Sequence, residues 1–225
     1  ASEGIPGQQY FAGTHLNPNV TWWDKSKPFF DYINRCQAML QQGLPVADVA
    51  YYYGDHVPNF TQLRSSDPAK AGAGYDYDVV TEEVILNRMS VKAGRLVLPD
   101  GVSYRMLMLP ERESISLPVL RKVKEFVNSG AVVGGGKPSK ASGLARFQES
   151  DAEVQRIADE LWDAGKVSSG QSARTVLQRI GVKPDFQADA PLVATGALQF
   201  IHRTTSDAEI YFVANRTTNS LSVNG

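Results

Sequence analysis

Three short stretches hold most of the residues that could do chemistry in this chain. "YFAGTHLNPNVTWW" (10–23) combines His15, Asn17, Trp22 and Trp23 without a helical or strand period, "GDHVPN" (54–59) places Asp55 beside His56, and "GAVVGGGKPS" (130–139) is a glycine run ending in a lysine. The first is either a loop that grips a ligand or the apolar lead-in to the helix after it. The second opens a polar segment, 54–78, that is long for a loop in a compact domain and rich in Pro, Gly, Ser and Asp. Placed after a core strand, it would lie at the edge where open α/β sheets hold ligands, and it also offers Asn59 and Arg64. Solvated loops are polar in any case, so Asp55 and His56 have an ordinary reading too. His202 alternates with apolar neighbours and reads as a satisfied structural histidine rather than a catalytic one.

The glycine run fails as a nucleotide site. A phosphate-gripping loop needs Gly, four residues, then Gly-Lys-Ser/Thr, but Ala131 stands at the first glycine and Pro138 at the hydroxyl position. The dinucleotide pattern fails at Ser139. There is no Gly-x-Ser-x-Gly elbow, and no cysteine on a strand-to-helix turn of the kind that glutamine amidotransferases use. A carboxylate dyad leaves no linear motif, since its members meet only in space.

Composition narrows the partners. Twenty-three basic residues against 24 acidic ones give a formal net charge of -1, so no broad field favours nucleic acid or an anionic membrane. No apolar run approaches the roughly 20 residues that span a bilayer. The start, "ASEGIPGQQY", lacks the regions of a signal peptide and suggests a mature chain or a piece of a larger one. A single cysteine, Cys36, excludes an internal disulfide, and its place in an apolar helical stripe predicts a buried, inert side chain.

These residues must be positioned by an alternation of helices and strands. Pro28 suits a first helical turn, and Phe29, Ile33, Cys36 and Leu40 then share one face up to Gly43. "PVADVAYYYG" reads as a strand buried on both faces. "SYRMLMLP" (103–110), the helical "LPVLRKVKEFVNSG" (117–130) and "AVVGGG" (131–136) together predict a right-handed parallel βαβ unit. Between them, Thr81 followed by two glutamates caps a short helix, and Ala93-Gly94 and Pro99-Asp100-Gly101 turn a hairpin. Helical patterns over 151–165 and 172–181 cover the sheet, and two strand-like runs joined by Ser206-Asp207 close the chain in an antiparallel hairpin. The fold class expected is α/β with a mostly parallel sheet.

At this point "YFAGTHLNPNVTWW", "YINRCQAMLQQGLPVADVAYYYGDHVPN", "GYDYD", "LVLPDGVSYRMLMLP" and "IYFVANR" together carry a resemblance that runs nearly end to end. The chain resembles glycoside hydrolase family 106, large α-L-rhamnosidases. The resemblance implies that residues 1–44 are the tail end of a catalytic (β/α)8 barrel with its outer helix. It implies that 45–204 form a three-layer α/β domain similar to class I glutamine amidotransferases, with a flavodoxin-like sheet, and that 205–225 lead toward a further β domain. A barrel needs about 250 residues and cannot fit ahead of residue 45.

The function so implied is removal of terminal α-L-rhamnose from glycans with inversion, by carboxylates that the resemblance does not place in this piece. The chain would then be an inactive supporting domain lending its 54–78 loop to the substrate cleft; the alternative is a non-catalytic carbohydrate-binding or scaffolding module. His15 and Asn17 would bond sugar hydroxyls, Trp22 or Trp23 would stack on a sugar ring, and Asp55 and His56 would reach in from the loop. Tryptophans before a helix at a domain junction also serve as packing. The resemblance further implies a secreted or periplasmic location and, for the full-length protein, calcium with no assignable ligand. No other cofactor is expected. The apolar side of the first helix would meet the missing barrel, this domain or a second copy.

Overall fold

Val49-Ala50-Tyr51-Tyr52 has no polar face, so a strand made from it must be covered on both sides. In the computed structural model, which describes residues 16–18, 20–188 and 196–222, this run is β2 (Val49–Tyr52), and only Tyr51 is not fully buried. It pairs in parallel with β3 (Tyr77–Val80) on one side and β7 (Met106–Met108) on the other, and β7 pairs in parallel with β9 (Val132–Gly134). The resulting four-stranded sheet has the order β3-β2-β7-β9.

Each face has its own cover. Ala50, Tyr52, Leu107 and Val133 point to a core with Val119, Leu120, Val123 and Phe126 of α3 (Leu117–Asn128) and Val154, Ile157 and Ala158 of α4 (Phe147–Ala158). Val49, Met106 and Met108 point the other way, onto Ala173, Val176 and Leu177 of α5 (Ala173–Arg179) and onto Ala69, Ala71, Tyr75 and Tyr77. The fold is therefore mixed α/β with a parallel central sheet, and β7-α3-β9 is the predicted βαβ unit. α4 runs on into a π-helical turn over Asp159–Asp163, which buries Leu161 and Trp162.

Smaller elements frame this core. Thr81 Oγ1 accepts from the Val84 amide and caps α2 (Glu82–Asn87), as its hydroxyl and the following acids predict. β4 (Ser90–Lys92), β5 (Arg95–Val97) and β6 (Ser103–Tyr104) form an antiparallel sheet. β8 (Ser114–Ile115) pairs in parallel with β10 (Lys140–Ala141). β11 (Leu198–Thr204) and β12 (Glu209–Asn215) make the C-terminal hairpin, whose first strand also takes up β1 (Leu44–Pro45).

Three expectations change. The single strand expected over 103–110 is broken: Arg105 and Met106 both donate their amides to the Asp48 carbonyl, at 2.7 and 3.3 Å, so the chain leaves the antiparallel sheet at Tyr104 and enters the parallel one at Met106. The segment expected to be loop up to residue 78 ends in β3. Cys36 lies on α1 (Lys27–Leu40), none of whose residues is buried, and its thiol is half-buried rather than part of a core. The chain divides into two compact units, 1–43 and 44–225.

Leu107→Ala removes a side chain with no exposed surface from the central strand pair, and urea unfolding is expected to show a loss of about 2–5 kcal/mol. Gly135 has φ +132°, and a Cβ there would sit 2.5 Å from the Leu109 carbonyl oxygen. Gly135→Ala is therefore expected to lower the unfolding midpoint although it adds only a methyl group.

Candidate functional site

Counted along the chain, the parallel strands run 2-1-3-4 across the sheet, so the winding reverses between β2 and β7. Connections leave those two strands in opposite directions, and the gap between their carboxyl ends is where open α/β sheets bind ligands. Residues 53–60 after β2 and 109–112 after β7 border a cleft of about 490 Å³ here, with Tyr51, Tyr53, His56, Phe60, Pro110 and Arg112 in its wall.

The loop is held in shape at its root. Gly54 takes φ +90°, and the Asn59 amide donates back to the Gly54 carbonyl at 2.9 Å and the Tyr53 carbonyl at 3.4 Å. The Asp55 carboxylate accepts from the Ser142 hydroxyl, which follows β10. Arg112 Nη2 lies 2.7 Å from His56 Nε2. A guanidinium can only donate, so Nε2 accepts and the ring proton sits on Nδ1. That Nδ1 is buried and has no partner among the described residues. That nitrogen is turned toward Gly54, so what the cleft itself presents is the Arg112 guanidinium and the aromatic rings. Val57, Phe60 and Leu63 on the same loop are 95%, 76% and 77% exposed, far more than apolar residues of a packed loop.

Beneath the cleft, Tyr52 is 1% exposed and its hydroxyl has no partner among the described residues. It borders a cavity of about 10 Å³, and burial pushes its phenol well above the ordinary range.

The opposite, amino edge of the sheet is a charged junction. Asp48 Oδ2 accepts from the Asp76 amide at 3.3 Å, and Arg64 pairs with the Asp76 carboxylate while stacking 5.0 Å from the Tyr77 ring. Burial, and secondarily the nearby Asp185 charge, push the Asp48 carboxyl up to about 6 against the partial relief of Arg105, Arg95 and His202. His202 is 6% exposed; its ring nitrogens meet Asp185 at 2.8 Å and Glu209 at 2.7 Å, and its face stacks on Tyr211. This histidine fastens the hairpin to the 182–187 segment.

Of the residues singled out in the sequence, His56 lines the switch-point cleft, whereas Asp55, next to it in the loop, is outside the cleft wall with its carboxylate on the Ser142 hydroxyl. Asn17, Trp22 and Trp23 belong to the other unit: the Asn17 carbonyl accepts from Val20, Trp22 is 36% exposed, and Trp23 packs edge-on against Phe30 at 6.0 Å. His15 lies outside the described residues. Arg112, Phe60, Ser142 and Tyr52 were not legible as site residues, because only the sheet order brings 109–112 beside 53–60. Among the described residues no three His, Cys, Asp or Glu side chains converge as metal ligands.

Sequence comparison places the chain in a family of glycoside hydrolases. It belongs to glycoside hydrolase family 106, whose family model, described as alpha-L-rhamnosidase, matches residues 1–225. It is similar to a rhamnosidase from Novosphingobium sp. PP1Y, with a TM-score of 0.75 and 30% identity over 92% of this chain and 21% of that one. It is also 40% identical over 205 residues to a Formosa agariphila protein that carries the provisional name beta-glucuronidase, covering 91% of this chain and 17% of the relative. The chain thus spans about a fifth of the length of these proteins.

Two measurements check the electrostatics. The folded state holds a proton on Asp48 that the unfolded chain releases at lower pH, so stability attributable to this group falls as pH rises from about 4 to about 6. Asp48→Asn is expected to raise the urea midpoint at pH 8 and to lose that advantage as pH drops through this window. Tyr52→Phe removes a buried, unpaired hydroxyl, and thermal unfolding is expected to show a gain of about 1 kcal/mol.

Proposed function

We propose that this chain is the α/β part of a glycoside hydrolase acting on α-L-rhamnosides, and that its switch-point cleft holds part of the glycan. In this reading the domain has the amidotransferase-like, flavodoxin-like layout that the resemblance implies and supports a catalytic barrel that carries the carboxylates. The observation that carries the proposal is the Arg112 guanidinium, held 2.7 Å from His56 Nε2 in the wall of the cleft beside Tyr53 and the exposed Phe60. A sugar offers hydroxyl acceptors for the remaining guanidinium N–H groups and an apolar C–H face for a ring. Trp22 is proposed as a separate stacking surface in the first unit, and secretion or a periplasmic location follows from a glycan substrate outside the cell.

Amide chemical shifts of the isotope-labelled chain, titrated with methyl α-L-rhamnoside, test this. Saturable shifts are expected at 53–62 and 110–112, with Arg112→Ala and Phe60→Ala each weakening binding about tenfold, equivalent to about 1.4 kcal/mol. Incubated with an aryl α-L-rhamnoside, the 225-residue chain is expected to release no aryl alcohol. Release by this chain would put the catalytic carboxylates within it, and shifts absent from both loops would overturn the cleft as a glycan site.

A further inference from the structure

A second cleft, of about 410 Å³, lies on the amino side of the sheet and is formed within the 44–225 unit. One wall is the stretch 64–77 that leads into β3; the other is the start of β11 with Arg216, just past β12. The first wall is fixed by its own bonds. The Asp67 carboxylate accepts the Ala71 amide at 2.9 Å and the Gly72 amide at 2.7 Å, Arg64 is committed to Asp76, and the Tyr75 hydroxyl donates to the Val182 carbonyl at 2.8 Å. The second wall contrasts with it. The guanidinium of Arg216 and the side-chain amide of Gln199 have no hydrogen-bond or ion-pair partner among the described residues, and the Ser65 hydroxyl across the cleft has none either. A wall held by its own bonds thus faces uncommitted polar groups, and Phe200, stacked on Phe186 at 4.9 Å, also lines the cleft.

We infer that this cleft is a binding site for a carboxylate carried on a sugar ring, a hexuronate, with Arg216 taking the carboxylate. The guanidinium asks for a planar two-oxygen anion, which it binds through two parallel N–H bonds. Gln199 and Ser65 can each both donate and accept, as ring hydroxyls require, and Phe200 with Tyr75 supplies an aromatic edge for the C–H face. The volume falls within the range of small-ligand pockets and admits one sugar unit. None of these residues borders the switch-point cleft, so the inference stands apart from the proposed function.

Titration of the isotope-labelled 225-residue chain with D-glucuronate, with L-rhamnose and inorganic phosphate run alongside, decides the matter. Glucuronate is expected to shift the amides of 64–75, 198–200 and 216 saturably in the millimolar range, while rhamnose leaves them unmoved and phosphate binds at least tenfold more weakly. Arg216→Gln should weaken glucuronate at least tenfold with the remaining spectrum unchanged, and Arg216→Lys should restore only part of the loss. Absence of saturable shifts at these amides, equal binding of phosphate, or an affinity unchanged by Arg216→Gln would each overturn the assignment. Shifts confined to 53–62 and 110–112 would overturn it while leaving the switch-point reading intact.

Discussion

Everything in the 44–225 unit answers to the position of β2. A parallel strand with neighbours on both edges has every backbone donor and acceptor committed, and with both faces covered it has nowhere to show a polar side chain. Its residues are therefore Val, Ala and Tyr. A parallel neighbour must also be reached by a crossover, and β2 needs two. The one from β3 to β7 carries α2 and the antiparallel β4-β5-β6 sheet, while the one from β2 to β3 has no α-helix at all. That asymmetry opens a cleft above the sheet, and the direction of the four strands decides at which edge it opens.

The amino edge is held by charge instead of by apolar packing. Asp48 and Asp76 face each other across the strand starts, Arg64 answers Asp76, and the Asp48 main-chain carbonyl draws in Arg105 and Met106. The hairpin joins through His202, gripped by two carboxylates and stacked on Tyr211, whose hydroxyl donates to Asp185 at 2.9 Å. Breaking one partner of such a cluster leaves Asp48, Asp76 or His202 buried and short of a match, which makes the junction cooperative. It also keeps a carboxyl protonated in a range where an exposed aspartate would be charged.

The core was legible wherever one residue pattern served one environment. Val119, Val123 and Phe126 declare a helix face, and Thr81 with Glu82 and Glu83 declares a helix start, because spacing and capping are local. β3 was hidden because its run, Tyr-Asp-Val-Val, begins inside a polar loop and carries Asp78, whose carboxylate accepts from Tyr104 on another strand. The break at Arg105 was hidden for a similar reason, since its cause is a carbonyl at residue 48. At the site, Asp55 and His56 could be singled out because loops after core strands hold ligands. Arg112 could not, because its bond to His56 spans 56 residues of sequence and exists only through the pairing of β2 with β7. The burial expected of Cys36 failed because a stripe at helical spacing states which face is apolar and says nothing about what lies against it.

The crossover from Tyr53 to Asp76 replaces a helix with a strap pinned at discrete points: Asn59 on the carbonyls of 53 and 54, Asp67 on the amides of 71 and 72, and Ala69, Ala71 and Tyr75 sunk in the core. Between the first two pins no hydrogen-bond ladder fixes how many residues there must be, and a longer closed loop costs only about 0.6 kcal/mol per doubling. A helix in that place would hold its insertions to whole turns. The strap can gain or lose single residues at 60–62, ahead of the turn that seats Arg64 on Asp76, while the sheet beneath keeps its register, so among chains built on this sheet the outline of the cleft can diverge faster than the fold that carries it.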